Sequence, residues 1–298
     1  MNQFVSNFLK GMGIGTANVV PGVSGGTIAL LTGIFERLIN CLKSFNITAL
    51  KLLFKGKFKE LAKHIDFWFL LSVGFGVVVA IFTTAKLFDY LFTHHPIYLW
   101  SFFFGMIITS IYFVGKTVDK WDWKVVLSFI IGTGIAVYIA FAKPASENSN
   151  FTYLMICGAV ATCSMILPGL SGSFILIIMG NYQLVMIDSI NNLDMKILVP
   201  VIIGAVVGLI AFSHFLSWIY KNYRNITIAL LTGFILGSAP IIWPWKHSVT
   251  TFFGEKEKVI GYDYFMPDMD IHFATAIVIM LIGAALIILT EKLVAKKS

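Results

Sequence analysis

Six apolar runs dominate this chain, at 67–92, 97–113, 125–141, 198–220, 226–245 and 273–289. A helix needs about 20 apolar residues to cross the hydrocarbon layer of a bilayer, so the runs predict six full spans. Composition agrees: 58% of the 298 residues are hydrophobic and only 12% are charged, which describes a polytopic membrane protein. Trp68, Trp100, Trp121, Trp123, Trp218, Trp243 and Trp245 fall near span ends, where an aromatic belt meets the headgroups. The longest polar connections, 43–65 and 246–271, are read as loops rather than soluble domains. Cys41, Cys157 and Cys163 are odd in number and form no CxxC pair, so neither a disulfide framework nor a metal site is expected.

The amino terminus, one lysine and then an apolar stretch, has the outline of a signal peptide. Yet it carries the motif VVPGVSGGTIALLTG, which returns later as ILPGLSGSFILIIMG, so it is read as part of the fold. Pro21, Gly22, Ser24, Gly25 and Gly33 meet Pro168, Gly169, Ser171, Gly172 and Gly180 at an offset of 147. Further on the offset is 128, pairing Asp66 with Asp194, Gly76 with Gly204, Gly105 with Gly233 and Ser110 with Ser238. Such duplication is a common construction in transporters. The expected fold is therefore all-α, with two repeats at 1–142 and 151–298, each a helical hairpin (about 4–42 and 151–190) followed by three transmembrane helices.

Charge selects the orientation. If each hairpin is re-entrant, a half makes three crossings and the repeats are inverted. Lys43, Lys51, Lys55, Lys57, Lys59 and Lys63 then share one side with Lys116, Lys120, Lys124, Lys221, Arg224, Lys292, Lys296 and Lys297. Cytoplasmic loops collect such residues, so both termini are expected to be cytoplasmic. A single crossing would put the first six lysines outside.

A broken helix at membrane depth must satisfy its backbone with protein or water. Pro21 and Pro168 set the breaks; Gly22 and Gly169 permit them. The returning helices begin near Ser24 or Gly25 and Ser171 or Gly172, with free N–H groups and hydroxyls converging on an anion such as phosphate. Close packing of small residues is the plainer reading of one such motif; the duplicated break favours an anion site. Glu36 and Arg37 lie roughly three turns along the first returning arm at 3.6 residues per turn. Arg37 could clamp phosphate and Glu36 could carry a proton, or both could mark a helix end at the surface. Lys86 and Asp89, with His214 aligned to Lys86, are either coupling and gating residues or, for the first two, a structural pair. His64, His94, His95, His247 and His272 are read as solvated. Nucleic-acid binding is not expected, because topology accounts for the lysine excess.

The segments ANVVPGVSGGTIALLTGIFERLI and CSMILPGLSGSFILIIMGNYQ resemble the bacterial polyprenyl-phosphate transporters, a family formerly known only as a domain of unknown function. The resemblance covers essentially the whole chain. It implies a flippase in the bacterial cytoplasmic membrane that returns undecaprenyl phosphate from the outer to the inner leaflet, without cofactor, metal or enzymatic step. The matching positions are Asn18, Pro21, Ser24, Gly25, Gly26, Thr27, Glu36 and Arg37 in the first hairpin and Ser164, Pro168, Ser171, Gly172 and Ser173 in the second. Gln183 stands where alignment to Glu36 suggests an acid, so symmetric proton coupling does not follow. A membrane phosphatase acting on undecaprenyl diphosphate shares paired hairpins and a PG-x-S motif, but typically has arginine after that serine, where this chain has Gly25 and Gly172. A small-anion carrier is the other alternative. Self-association into a homodimer is left open.

Overall fold

The computed structural model describes residues 3–19 and 24–295. Pro21 and Gly22, and the side chains of Lys86 and Asp89, lie outside the described residues.

The first apolar segment forms α1 (Gln3–Val19), and the chain resumes beyond the break as α2 (Gly25–Leu31). Gly33 then adopts φ +70°, a left-handed turn open to glycine, and α3 (Phe35–Ser44) leaves at 118° to α2. Two short helices follow, α4 (Ile47–Phe54) and α5 (Phe58–His64), then the long α6 (Phe67–His94), α7 (Pro96–Lys116) and α8 (Trp123–Phe141). The second half repeats this order with α9 (Phe151–Ile166), α10 (Gly172–Ile178), a π-helical turn Leu184–Asp188, α11 (Ser189–Asn191), α12 (Met195–Asn222) and α13 (Arg224–Gly237). A hairpin of β1 (Lys246–Phe253) and β2 (Lys256–Tyr264) precedes the last helix, α14 (Ile271–Ala295).

Among the described residues five helices are long and apolar enough to cross a membrane: α6, α7, α8, α12 and α14. The run at 226–245 is not the full span expected. Its helix α13 stops after 14 residues, which at 1.5 Å per residue reaches only about 21 Å. The cause is Pro240, which cannot donate to a continuing helix, and a single 3-10 turn, Ala239–Ile242, takes over. The connection at 246–271 is also more than a loop. Val249, Thr250, Thr251, Phe252 and Phe253 favour a strand, and the antiparallel partner returns after a tight turn with Gly254 at φ +60°.

Packing relates the elements in a crossed pattern. α1 lies along α6, and α9 lies along α12. α7 pairs with α14, whereas α13 pairs with α8, so the second long helix of each half is held by the last helix of the other. Glycines set the closeness of these pairs: a Cβ on Gly76 would strike the Phe8 carbonyl, and one on Gly204 would strike that of Met155. The interior between them holds Phe35, Ile39 and Phe69 with Ile228, Leu231 and Phe234, joining both halves in one core.

Candidate functional site

The two broken motifs meet. Ser24 and Ser171 take matching extended backbones at the N-caps of α2 and α10 (φ −102°, ψ 134° and φ −119°, ψ 131°). Ser24 Oγ donates to the Leu167 carbonyl of the other break at 3.2 Å. A Cβ on Gly26 would come within 2.7 Å of the Ile166 carbonyl, so glycine is what lets the first returning helix touch the second break.

Their surroundings differ. At the first tip Gly25 N–H donates to Asn18 Oδ1 (2.9 Å), Gly26 N–H to Ser24 Oγ (3.1 Å) and Thr27 N–H to the Ser24 carbonyl (3.0 Å). The free donors expected at the start of α2 are therefore all used within the protein. The Thr27 hydroxyl is fully buried with no hydrogen-bond partner. At the second tip Met165 occupies the place of Asn18 at the 147 offset and has no oxygen to offer. Ser171 makes no cap bond, and the N–H groups of Gly172, Ser173 and Phe174 donate to no described residue. The Ser171 and Ser173 hydroxyls lie 3.0 Å apart, with Ser173 exposed. Gly169 turns at φ +81° against Ser238 and Phe234, while Ser164 bonds back to Ala161.

Glu36 and Arg37 are not on a continuous returning arm. After the 118° bend they lie on α3, lining a cleft of about 390 Å³ with Gly33, Asn40, Cys41, His64 and Asp66. Seven residues of α2, about 10 Å of helix, separate this cleft from the first tip. Arg37 Nε donates to Asp66 Oδ2 at 2.7 Å, and its guanidinium lies 4.2 Å from the centre of the Phe69 ring. Lys10 donates to the Thr32 carbonyl at 2.8 Å, near enough for its charge to repel that of Arg37. Asn40 accepts from Ser217 of α12 at 2.9 Å, tying this wall to the second half.

Asp66 and Lys10 are functional candidates that the sequence reading did not single out. The aligned pair Asp66 and Asp194 was the available signal for the first, and a lone lysine inside an apolar helix for the second. His214 bonds within its own helix, to the Ile210 carbonyl. A second cleft of about 460 Å³ gathers His94, His95 and His272 with Tyr98, Asp268 and Asp270, so three histidines read as solvated share one surface.

Residues 14–260 match a family described as undecaprenyl phosphate translocase-like. The chain belongs to this family. Two curated relatives of this translocase-like chain carry the name polyprenyl-phosphate transporter. That of Vibrio cholerae is 40% identical over 248 residues, covering 83% of this chain and 80% of the relative. That of Staphylococcus aureus is 31% identical over 262 residues, covering 82% of this chain and 88% of the relative. No solved structure matches.

Proposed function

We propose that this translocase-like protein is a polyprenyl-phosphate transporter that returns undecaprenyl phosphate from the outer to the inner leaflet of the bacterial cytoplasmic membrane. The carrying observation is the meeting of two equivalent breaks across the Ser24 to Leu167 hydrogen bond, one tip closed and the other with unserved donors. A phosphate head group cannot shed its hydration in lipid unaided. Hydroxyls and N–H groups at Ser171, Gly172 and Ser173 supply a substitute, and Ser24, Gly25, Gly26 and Thr27 do so when the first tip opens.

The repeats are inverted and the hairpins re-entrant, with both termini cytoplasmic. Crossed pairing of equivalent helices supports two equivalent halves, and the lysine-rich loops favour the inverted arrangement. Closure at one tip with opening at the other corresponds to one end state of alternating access. The isoprenoid tail stays in lipid throughout. Arg37 receives the head group at the near end of its path. Glu36 carries the coupled proton, and Lys86, Asp89 and His214 gate the route.

Reconstitution in liposomes with labelled undecaprenyl phosphate, and in parallel with undecaprenyl diphosphate and with inorganic phosphate, following leaflet exchange and phosphate release together, tests this reading. Exchange without release is expected. Release of inorganic phosphate from the diphosphate lipid would replace the transporter with a phosphatase, and exchange of inorganic phosphate alone would replace it with a small-anion carrier.

A further inference from the structure

Asp66 and Asp194 hold equivalent positions ahead of α6 and α12, and they are in different states. Asp194 has φ −73° and ψ 94°, and its carboxylate accepts from the Lys196 N–H at 3.0 Å. That is the ordinary role of an N-cap aspartate. Asp66 is left-handed, φ 51° and ψ 51°, and its side chain makes no cap bond. Its carboxylate is turned instead to Arg37, at 2.7 Å. The left-handed backbone is the ordinary end of a helix: Asp66 follows the C-cap of α5, and Leu193 takes the same conformation (φ 49°) after α11. What sets Asp66 apart is the forgone cap, which leaves a helix-start N–H without a described side-chain partner, in exchange for an ion pair whose side chains are 40% and 39% exposed, a setting in which such pairs contribute little.

We infer that Asp66 is a placeholder for a phosphate group. The inference rests on the transporter reading and adds the identity of the group that the substrate displaces. A phosphomonoester entering the cleft takes the guanidinium fork of Arg37, which matches phosphate geometry. The backbone at Asp66 then leaves the left-handed region for the extended conformation of Asp194, the freed carboxylate turns to the Trp68 N–H, and α6 gains its cap. Arg37 is neutralised in both states, so its charge is never left bare. Charge sets the need for displacement. With Asp66 in place, one carboxylate neutralises Arg37 while Lys10 repels it. With Asp66 turned away, that repulsion stands unopposed by Asp66, and a dianion relieves it better than one carboxylate can.

The test uses the full chain in nanodiscs, titrated with farnesyl phosphate, inorganic phosphate and farnesol. Asp66→Asn can take both the left-handed region and the N-cap role, but no longer competes as an anion for Arg37. It should bind farnesyl phosphate about threefold to fivefold more tightly, the range expected from removing a half-exposed ion pair. In an Arg37→Gln background the same change should do nothing. Amide hydrogen exchange at the start of α6 should slow in the wild type on adding farnesyl phosphate. A gain shared by inorganic phosphate assigns the cleft to the phosphate group from either source; a gain confined to farnesyl phosphate assigns it to the lipid. Unchanged or weaker binding by Asp66→Asn, a gain that persists without Arg37, or a gain with farnesol overturns the inference. Leaflet exchange measured on the same preparations separates the two claims. Intact exchange with no effect of Asp66→Asn on binding removes the placeholder alone, whereas loss of both exchange and farnesyl phosphate binding in the wild type removes the transporter reading itself.

Discussion

Replacing the two tip serines by alanine should separate stability from transport. Ser24 Oγ caps the Gly26 N–H and donates to Leu167 of the other break. Loss of an N-cap costs about 1 kcal/mol, and loss of the part-buried hydrogen bond to Leu167 about 1 kcal/mol more. Ser24→Ala should therefore destabilise by about 2 kcal/mol, lowering the midpoint of thermal unfolding in nanodiscs by roughly 4–8 °C. Among the described residues Ser171 Oγ hydrogen-bonds only Ser173 Oγ, at a tip that is not fully buried, so Ser171→Ala should fall within about 0.5 kcal/mol of wild type. Exchange should fall in both variants, but only in Ser171→Ala without a loss of stability. A hydrogen bond to a charged group contributes about 1.5–3 kcal/mol, so Ser171→Ala should slow leaflet exchange by roughly tenfold to a hundredfold at full stability. Thermal unfolding of the purified variants and exchange in liposomes measure the two quantities. Equal thermal losses in both variants would refute the asymmetry of the tips, and full exchange by Ser171→Ala would remove its hydroxyl from the phosphate path.

Three further outcomes are expected. Gly204→Val should separate α9 from α12, because its Cβ meets the Met155 carbonyl rather than a movable side chain; a loss of about 1–3 kcal/mol is expected, read as a lower unfolding midpoint, and an unchanged midpoint would count against the close approach. Burial pushes the Lys246 ammonium down to about 6, against the pull of the Trp100 and Tyr262 faces. Between about 6 and the ordinary lysine value the unfolded chain binds a proton that the folded chain lacks, so this residue makes stability rise with pH across that window. Lys246→Met should flatten that rise in midpoints recorded from pH 6 to pH 9, and an identical slope would rule the lysine out as its source. Glu36→Gln should slow exchange chiefly when a pH gradient is imposed; equal slowing with and without the gradient would separate Glu36 from proton coupling.

Much of this architecture is legible in the residues because lipid imposes so few alternatives. The runs at 67–92 and 198–220 became α6 and α12, the second continuing through Pro200 near its start, because apolar length outweighs one lost helix hydrogen bond. The offset of 147 placed Ser24 and Ser171 at matching caps, and Gly33 and Gly180 at matching turns of φ +70° and +72°. What the sequence hid depends on tertiary partners. Arg37 and Asp66 are 29 positions apart, with α4 and α5 between them, and no local pattern links them. The bend after α2 moved Glu36 and Arg37 out of line with the tip, although Gly33 was its visible cause. Asn18 and Met165 were aligned by the same offset, and their chemical difference already foretold one capped tip and one uncapped. Pro240 and the β-branched and aromatic residues from Val249 to Phe253 were readable signals for a shortened helix and a hairpin, obscured by the overall apolarity of the first segment and the polarity of the second.

The pairing of α7 with α14 has a consequence for biosynthesis. More than 150 residues separate the end of one helix, Lys116, from the start of the other, Ile271. A ribosome adding about 5–20 residues per second takes roughly 8–30 s to cover that distance. During this interval the face of α7 containing Gly105, shaped to admit the Met280 backbone, has no native occupant. The nascent chain must keep that groove filled by lipid or by an insertion factor, and only the emergence of its last helix displaces the temporary tenant.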